Sequence, residues 1–177
     1  GDALKIDIAA LGTAPRRIVA NLPYNVGTEL LFKWLENATA FESMTLMFQR
    51  EVALRIAAEP GSKAYGRVSI MSQWLCEVAV AFDINPRAFT PPPQVDSTVI
   101  LLKPRATPLA PANAATLERV TAAAFGQRRK MLRQSLKSLG VDAIAMCEAA
   151  DVDPTARAET LSVAQFCALA RELDKAS

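Results

Sequence analysis

Between Lys103 and Asn113 the chain carries three prolines, Pro104, Pro108 and Pro111. A proline has no backbone N–H and a fixed φ, so this stretch can neither continue a helix nor run through the middle of a sheet. It reads as a linker, and the hydrophobic pattern differs on its two sides. Before it, strand-like runs at Arg17 to Ala20, Met44 to Phe48, Val78 to Ile84 and Thr98 to Leu102 alternate with helical stretches. Those stretches, Thr28 to Glu36, Glu51 to Ala58 and Gly66 to Leu75, place apolar residues three and four apart. Strands separated by helices predict parallel βαβ units. After the linker only helical periodicity remains, at Ala115 to Phe125, Lys130 to Leu139, Ala143 to Ala149 and Val163 to Leu173, with Gly140 placed as a helix stop. An α/β domain over 1–105 and a small all-α domain over 106–177 are therefore expected.

Composition narrows the chemistry. A hydrophobic fraction of 51% over 177 residues is ample for a packed core. Histidine is absent, which excludes Ser-His and Cys-His nucleophiles and any His-ligated metal. The three cysteines, Cys76, Cys147 and Cys167, are odd in number and far apart, so neither a disulfide framework nor a zinc site is indicated, and no metal is expected. No secretory leader or membrane-length apolar run is visible, which favours the cytoplasm and no membrane partner.

The net charge of +2 says little, but its distribution says more. From Arg119 to Lys137 there are six basic residues, Arg119, Arg128, Arg129, Lys130, Arg133 and Lys137, and no acidic one. On the expected helix most of Arg129, Lys130, Arg133 and Lys137 share one side, with Met131, Leu132, Leu136 and Leu139 towards the other. A wall of cations without acidic partners suits a polyanion, read by phosphate and 2′-hydroxyl contacts. The competing reading is a solvated face.

The sharpest chemical signal is Asn21-Leu22-Pro23-Tyr24, directly after the apolar run Ile18-Val19-Ala20. It suits methylation of an exocyclic adenine amine, a poor nucleophile whose lone pair is delocalised into the ring. A catalyst has to hold both N–H bonds in acceptors and leave the lone pair facing the methyl. Asn21 offers one acceptor in its side-chain oxygen and Leu22 a second in its carbonyl. Pro23 stiffens the turn and restricts Leu22, and Tyr24 offers a stacking face, worth about 1–3 kcal/mol per base. An ordinary strand-to-loop exit is the bland alternative.

Further motifs follow in order: Phe48-Gln49-Arg50-Glu51-Val52, Ala64-Tyr65-Gly66-Arg67, and Ala88-Phe89-Thr90-Pro91-Pro92-Pro93 with Val95-Asp96-Ser97. Gln127-Arg128-Arg129-Lys130 and Arg157-Ala158-Glu159-Thr160-Leu161-Ser162 complete the series. With Asn21 to Tyr24 these six motifs make the chain resemble the carboxy-terminal two-thirds of a KsgA-type ribosomal RNA adenine N6,N6-dimethyltransferase. The resemblance implies a Rossmann-like class I methyltransferase domain, here incomplete with its amino-terminal strands missing, followed by a small all-α RNA-binding domain. It implies S-adenosylmethionine as methyl donor, with Asp2 on the donor's adenine and Asn21 near both donor and target. Phe89 would oppose Tyr24 across the flipped base.

The implied substrate is a pair of adjacent adenosines in a hairpin near the 3′ end of small-subunit ribosomal RNA, dimethylated at N6 during assembly of the 30S subunit. Arg128, Arg129, Lys130, Arg133 and Lys137 would bind that RNA, and the full-length enzyme would be a monomer. No glycine-rich donor-binding turn precedes Asn21, where only Gly1 and Gly12 occur. The chain is therefore expected to begin partway through the donor-binding domain and to be inactive alone. A large-subunit adenine methyltransferase of the antibiotic-resistance type and a non-catalytic RNA-binding assembly factor are the alternatives. Among the remaining residues, Asp96 and Ser97 read as a turn cap before the last strand. Tyr65-Gly66-Arg67 reads as a helix entry in which Arg67 can touch phosphate. Arg50 and Glu51 pair locally or brace the catalytic loop, and Trp34, Met71 and Trp74 read as core.

Overall fold

The computed structural model of the chain describes residues 3–176. Alternation governs its sheet. In β2 (Ser43–Gln49), Met44, Leu46 and Phe48 are buried while their neighbours are half-buried, the period-two pattern of a strand with unequal faces. β1 (Arg17–Asn21) runs parallel to β2, pairing Arg17 with Ser43 through Asn21 with Met47. β4 (Ser97–Pro104) lies antiparallel on the other side of β2 and is itself paired antiparallel with β3 (Cys76–Ile84), giving the order β1-β2-β4-β3.

Parallel pairing holds for β1 and β2, which α1 (Gly27–Leu35) connects, but not for the last two strands. Only the loop from Asn85 to Asp96 joins β3 to β4. A parallel crossover usually carries an α-helix, whereas this connection holds only a 3-10 turn over Pro86–Ala88 and lets the chain fold straight back. A register shift between Val80 and Phe82 marks a bulge in β3, which increases local twist.

By register, Met44, Leu46 and Phe48 share a face with Leu102, Ile100 and Thr98, all buried. α2 (Arg50–Ile56) packs on β2, β3 and β4, and α1 buries Leu30, Leu31, Trp34 and Leu35. On the opposite face Val19 is 81% exposed, Phe82 58% and Leu101 41%. Near the amino end, the Lys33 ammonium donates to the carbonyls of Leu4 at 2.5 Å and Ile6 at 2.9 Å. Trp34, Met71 and Trp74 are core residues.

The chain divides into two compact units, Gly1–Ala57 with Met71–Thr107, and Ala58–Ile70 with Pro108–Ser177. The division therefore falls twice within the first 105 residues, once inside α3 (Arg67–Leu75). An expected boundary after Arg105 misses this, because the segment 58–70 belongs with the helical unit. The Gly61 N–H donates to the Glu159 carbonyl at 2.6 Å. The Tyr65 ring meets Phe125 edge-on at 6.2 Å, and Phe125 stacks on Phe166 at 5.7 Å.

The second unit also contains α4 (Ala114–Gly126), α5 (Leu132–Ser135), α6 (Ala143–Ala149) and α7 (Val163–Ala176). The helix expected from Lys130 to Leu139 begins two residues later, after a turn, and runs as the four-residue α5 followed directly by a 3-10 turn over Leu136–Leu139. Extended Met131 forms a bridge with Arg157, and the N–H groups of Leu132 and Arg133 donate to Ala156 and Pro154. These bonds satisfy N–H groups at the start of α5, which have no partner within the helix, and so fix where it begins. Gly140, at φ 79°, ends the 3-10 turn in the left-handed region where glycine carries no Cβ penalty.

Cys76, Cys147 and Cys167 are unpaired and buried. Burial pushes their thiols up, to about 12 for Cys76 and about 11 for the other two. No described helix is long and apolar enough to cross a membrane.

Candidate active site

β1 delivers Asn21 to the carboxyl end of the sheet, beside Met47 of β2. One residue on, the Leu22 N–H donates to the Met47 carbonyl at 3.3 Å and the Leu22 side chain is buried, so the chain stays pinned to β2 as it leaves the strand. Pro23 then turns it, its carbonyl accepting from the N–H groups of Val26 at 3.3 Å and Gly27 at 2.9 Å. Gly27 makes this turn possible: a Cβ there would lie 3.1 Å from the Phe48 ring and 3.3 Å from Leu22 Cβ. The start of α1 thereby sits tight on the turn. Tyr24 is left 48% exposed.

Opposite stands the loop after β3. Asn85 opens a 3-10 turn over Pro86–Ala88, accepting from the Arg87 N–H at 2.9 Å, and Phe89 follows in extended conformation. Asn21, Leu22, Pro23 and Tyr24 line one side of an open cavity of about 410 Å³, and Phe89 lines it with Met47. Thr90, Pro91 and Pro93 complete the lining. All five residues expected to form the catalytic pocket thus border one space.

Met47 has no place in the sequence motifs, and Thr90, Pro91 and Pro93 enter them only as the continuation of Phe89, with no role of their own. For Met47 a signal existed, because β2 alternation places it on the half-buried side. The sequence predicts a turn cap at Ser97. Ser97 is instead the first residue of β4, fully buried, with its hydroxyl 3.4 Å from that of Tyr24. Asp96 contributes a carbonyl that accepts the Arg50 N–H at 2.9 Å.

Arg50 does not pair with Glu51, which holds Arg55 at 2.6 Å. Its guanidinium reaches Asp83 at 3.3 Å, and Asp83 accepts the Thr98 hydroxyl at 2.5 Å. The Thr98 hydroxyl, and then Arg50, hold the Asp83 carboxyl below its usual range. Together these contacts tie the start of α2 to both strands of the β3-β4 hairpin.

The expected RNA-binding residues divide. Arg128 is engaged internally, with its guanidinium on Glu159 at 2.9 Å and the Lys63 carbonyl at 2.7 Å and 5.8 Å from the Phe125 ring centre. Arg129 and Lys130 are exposed on the turn before α5, and Lys137 is exposed on the 3-10 turn. Among the described residues none of these three forms an ion pair. Arg133 is exposed and faces Asp153, whose carboxyl is held low first by Thr155 and also by Arg133. Arg129 and Lys130 lie ahead of the helical run, so of these cations only Arg133 and Lys137, on α5 and the 3-10 turn, share it. Arg67 forms an ion pair with Glu118 at 3.2 Å. Asp2, expected on the donor's adenine, lies outside the described residues.

A mixed sheet with a parallel β1-β2 pair, an antiparallel β4 beside it and a pocket at the carboxyl ends of β1 and β2 defines a Rossmann-like methyltransferase fold. The chain belongs to the ribosomal RNA adenine dimethylase family, whose model matches residues 1–175. It is 67% identical over 176 residues to ribosomal RNA small subunit methyltransferase A of Rhodospirillum rubrum, covering 99% of this chain and 61% of that protein. Its counterpart in Paramagnetospirillum magneticum is 62% identical over 173 residues, at 98% and 61% coverage. The chain thus spans about three-fifths of the length of these curated relatives.

Among solved structures, a dimethyladenosine transferase from Plasmodium falciparum aligns with a TM-score of 0.82 at 26% identity, over 99% of this chain and 71% of that one. The 23S rRNA methyltransferase ErmE aligns at 0.63 and 24% identity over 98% and 70%, a likeness of fold.

Proposed function

We propose that this chain carries the target-base pocket and the RNA-binding unit of an S-adenosylmethionine-dependent enzyme that dimethylates N6 of two adjacent adenosines in a hairpin near the 3′ end of small-subunit ribosomal RNA. The observation that carries this reading is the convergence of Asn21 to Tyr24 with Phe89 on one cavity of about 410 Å³. A base extruded from its stack loses stacking energy, and aromatic walls compensate for that loss. Tyr24 and Phe89 supply those walls. The Asn21 side-chain oxygen, exposed at the strand end, accepts one amine N–H and the Leu22 carbonyl accepts the other.

S-adenosylmethionine supplies an electrophilic methyl on a sulfonium. Of the residues assigned to it, Asn21 is exposed at the pocket, in keeping with a group that touches donor and target alike. The chain's contribution is orientation, with donor and acceptor atoms held about 3–3.5 Å apart and aligned. No general base is required, because the methylated amine is acidic enough to release its proton to water. An open pocket also leaves room for the first methyl while the second is added.

Exposed Arg129, Lys130 and Lys137 support phosphate binding by the helical unit, and assembling small subunits are the setting in which that RNA hairpin is met. Names of relatives such as the R. rubrum protein favour the small-subunit substrate over the large-subunit one. The test is methyl transfer from labelled S-adenosylmethionine to small-subunit and large-subunit hairpins, by a protein of the relatives' length carrying these residues. Labelling of adjacent adenosines in the small-subunit hairpin, lost in Asn21→Ala, is the expected result. Labelling of the large-subunit hairpin alone, or RNA binding with no transfer, overturns it.

A further inference from the structure

Beside the base pocket lies a second cavity, of about 340 Å³, lined by Gln49, Arg50, Glu51, Pro86, Gln94 and neighbouring Val95 and Asp96. The two are built from the same elements. Met47 borders the first and Gln49 the second, two residues apart on one face of β2, a separation of about 7 Å. The loop from Phe89 to Pro93 lines the first, and its continuation through Gln94 to Asp96 lines the second. A ligand with repeating units can therefore enter both cavities along one path.

The second cavity is braced. The Arg50 N–H to Asp96 carbonyl bond at 2.9 Å joins its two sides, and Gln49 pairs with Ser97 in the ladder. Arg50 spends its charge on Asp83 at 3.3 Å and Glu51 on Arg55 at 2.6 Å. Asp96 then leaves a negative balance in the lining, which disfavours a phosphate. What remains are two side-chain amides, Gln49 and Gln94, and a carboxylate. Amides pair with adenine edges, and carboxylates accept from amino groups of bases.

We propose that this second cavity holds the nucleobase flanking the target adenosine, and that it prefers a base bearing an exocyclic amino group. The inference rests on the base-pocket reading above. Gln49 and Gln94 recognise the base edge, and Asp96 accepts from its amino group. The flanking base thus sets which adenosine reaches Asn21, making these residues determinants of specificity.

The experiment is an NMR titration of the chain with adenosine monophosphate and with the dinucleotides ApA, ApU and UpA, in wild type, Gln49→Ala, Gln94→Ala, Tyr24→Ala and Phe89→Ala, with thermal melts alongside. ApA should bind about tenfold more tightly than ApU or UpA, as the loss of one good base-edge contact implies. Gln94→Ala, in an exposed loop, and Gln49→Ala should reduce that preference to about twofold without lowering the melting temperature in Gln94→Ala. An undiminished ApA preference in both glutamine variants, with Tyr24→Ala and Phe89→Ala weakening all ligands, overturns the flanking-base site and leaves the base pocket standing. Adenosine monophosphate affinity unchanged in Tyr24→Ala and Phe89→Ala overturns the base pocket, and the flanking site with it.

Discussion

At the residue scale, Tyr24 is more than a stacking surface. Its hydroxyl is the partner found for the buried Ser97 hydroxyl at 3.4 Å, and a buried polar group left unpaired costs about 1–3 kcal/mol. A role as stacking face alone lets Tyr24→Phe keep much of the activity, since the ring is kept. With Ser97 in view, Tyr24→Phe should lower stability by about 1 kcal/mol, and Ser97→Ala in the Tyr24→Phe background should restore most of it. A thermal-melt double-mutant cycle checks this, and additive losses would show the two hydroxyls to be independent. Asn21 is expected to behave differently: Asn21→Ala in an active protein should reduce kcat far more than RNA affinity, because its acceptor matters when the amine is aligned. Equal losses in both would assign Asn21 a structural role. The Asn21 to Tyr24 side of the candidate pocket was legible because the four residues are consecutive in the chain. Ser97 was not, because its partner lies 73 residues away.

At the scale of elements, the Gln127 to Lys137 segment shows how tertiary bonds set the start of a helix. Its apolar spacing suits a helix from Lys130, yet the bridge from Met131 to Arg157 holds Met131 extended. The bonds from Leu132 and Arg133 to the 154–156 loop start the helix at Leu132, which leaves Arg128 and Lys130 on the turn before it. Arg128 and Lys130, neighbours in one basic motif, should therefore diverge on mutation. Arg128→Ala removes the hold on Glu159 and the Lys63 carbonyl, and should destabilise the helical unit by about 1–2 kcal/mol. Lys130→Gln should leave the melting temperature unchanged and reduce the magnitude of the log-log salt slope of RNA binding by about 0.7–0.9, one phosphate's worth. Titration against a small-subunit 3′ hairpin at several salt concentrations separates the two; an unchanged slope in Lys130→Gln would make that lysine part of a solvated face.

The β3-β4 hairpin carries a pH signature of its own. Thr98 and Arg50 hold the Asp83 carboxyl below its unfolded value, so its stabilising contribution is fully present above the ordinary carboxylate range and is lost as pH falls through the lowered value. Asp83→Asn should consequently show a weaker acid dependence of unfolding than wild type, measured as melting temperature against pH. The strands themselves were readable from their apolar runs. Their antiparallel return was not, because the pattern of a strand does not encode its direction.

At the scale of the whole molecule, the division into an α/β unit and a helical unit follows the proline-bearing linker, but no local pattern marks residues 58–70 as belonging with the helices. That membership is written in aromatic contacts distant along the chain, Tyr65 on Phe125 and Phe125 on Phe166. The sequence holds no glycine-rich turn before Asn21, so these 177 residues alone should show no low-micromolar S-adenosylmethionine binding by calorimetry; such binding would assign the donor to residues other than those named here. The distribution of the three cysteines has a practical consequence. Cys76 lies in the α/β unit, Cys147 and Cys167 in the helical one, and each is buried with its thiol shifted to about 11 or 12. A native thiol this protonated and shielded reacts only when its surroundings open. Pulsed alkylation followed by peptide mass spectrometry will therefore time the opening of the two halves separately, with the protein's own sulfur atoms as the clocks and no label introduced.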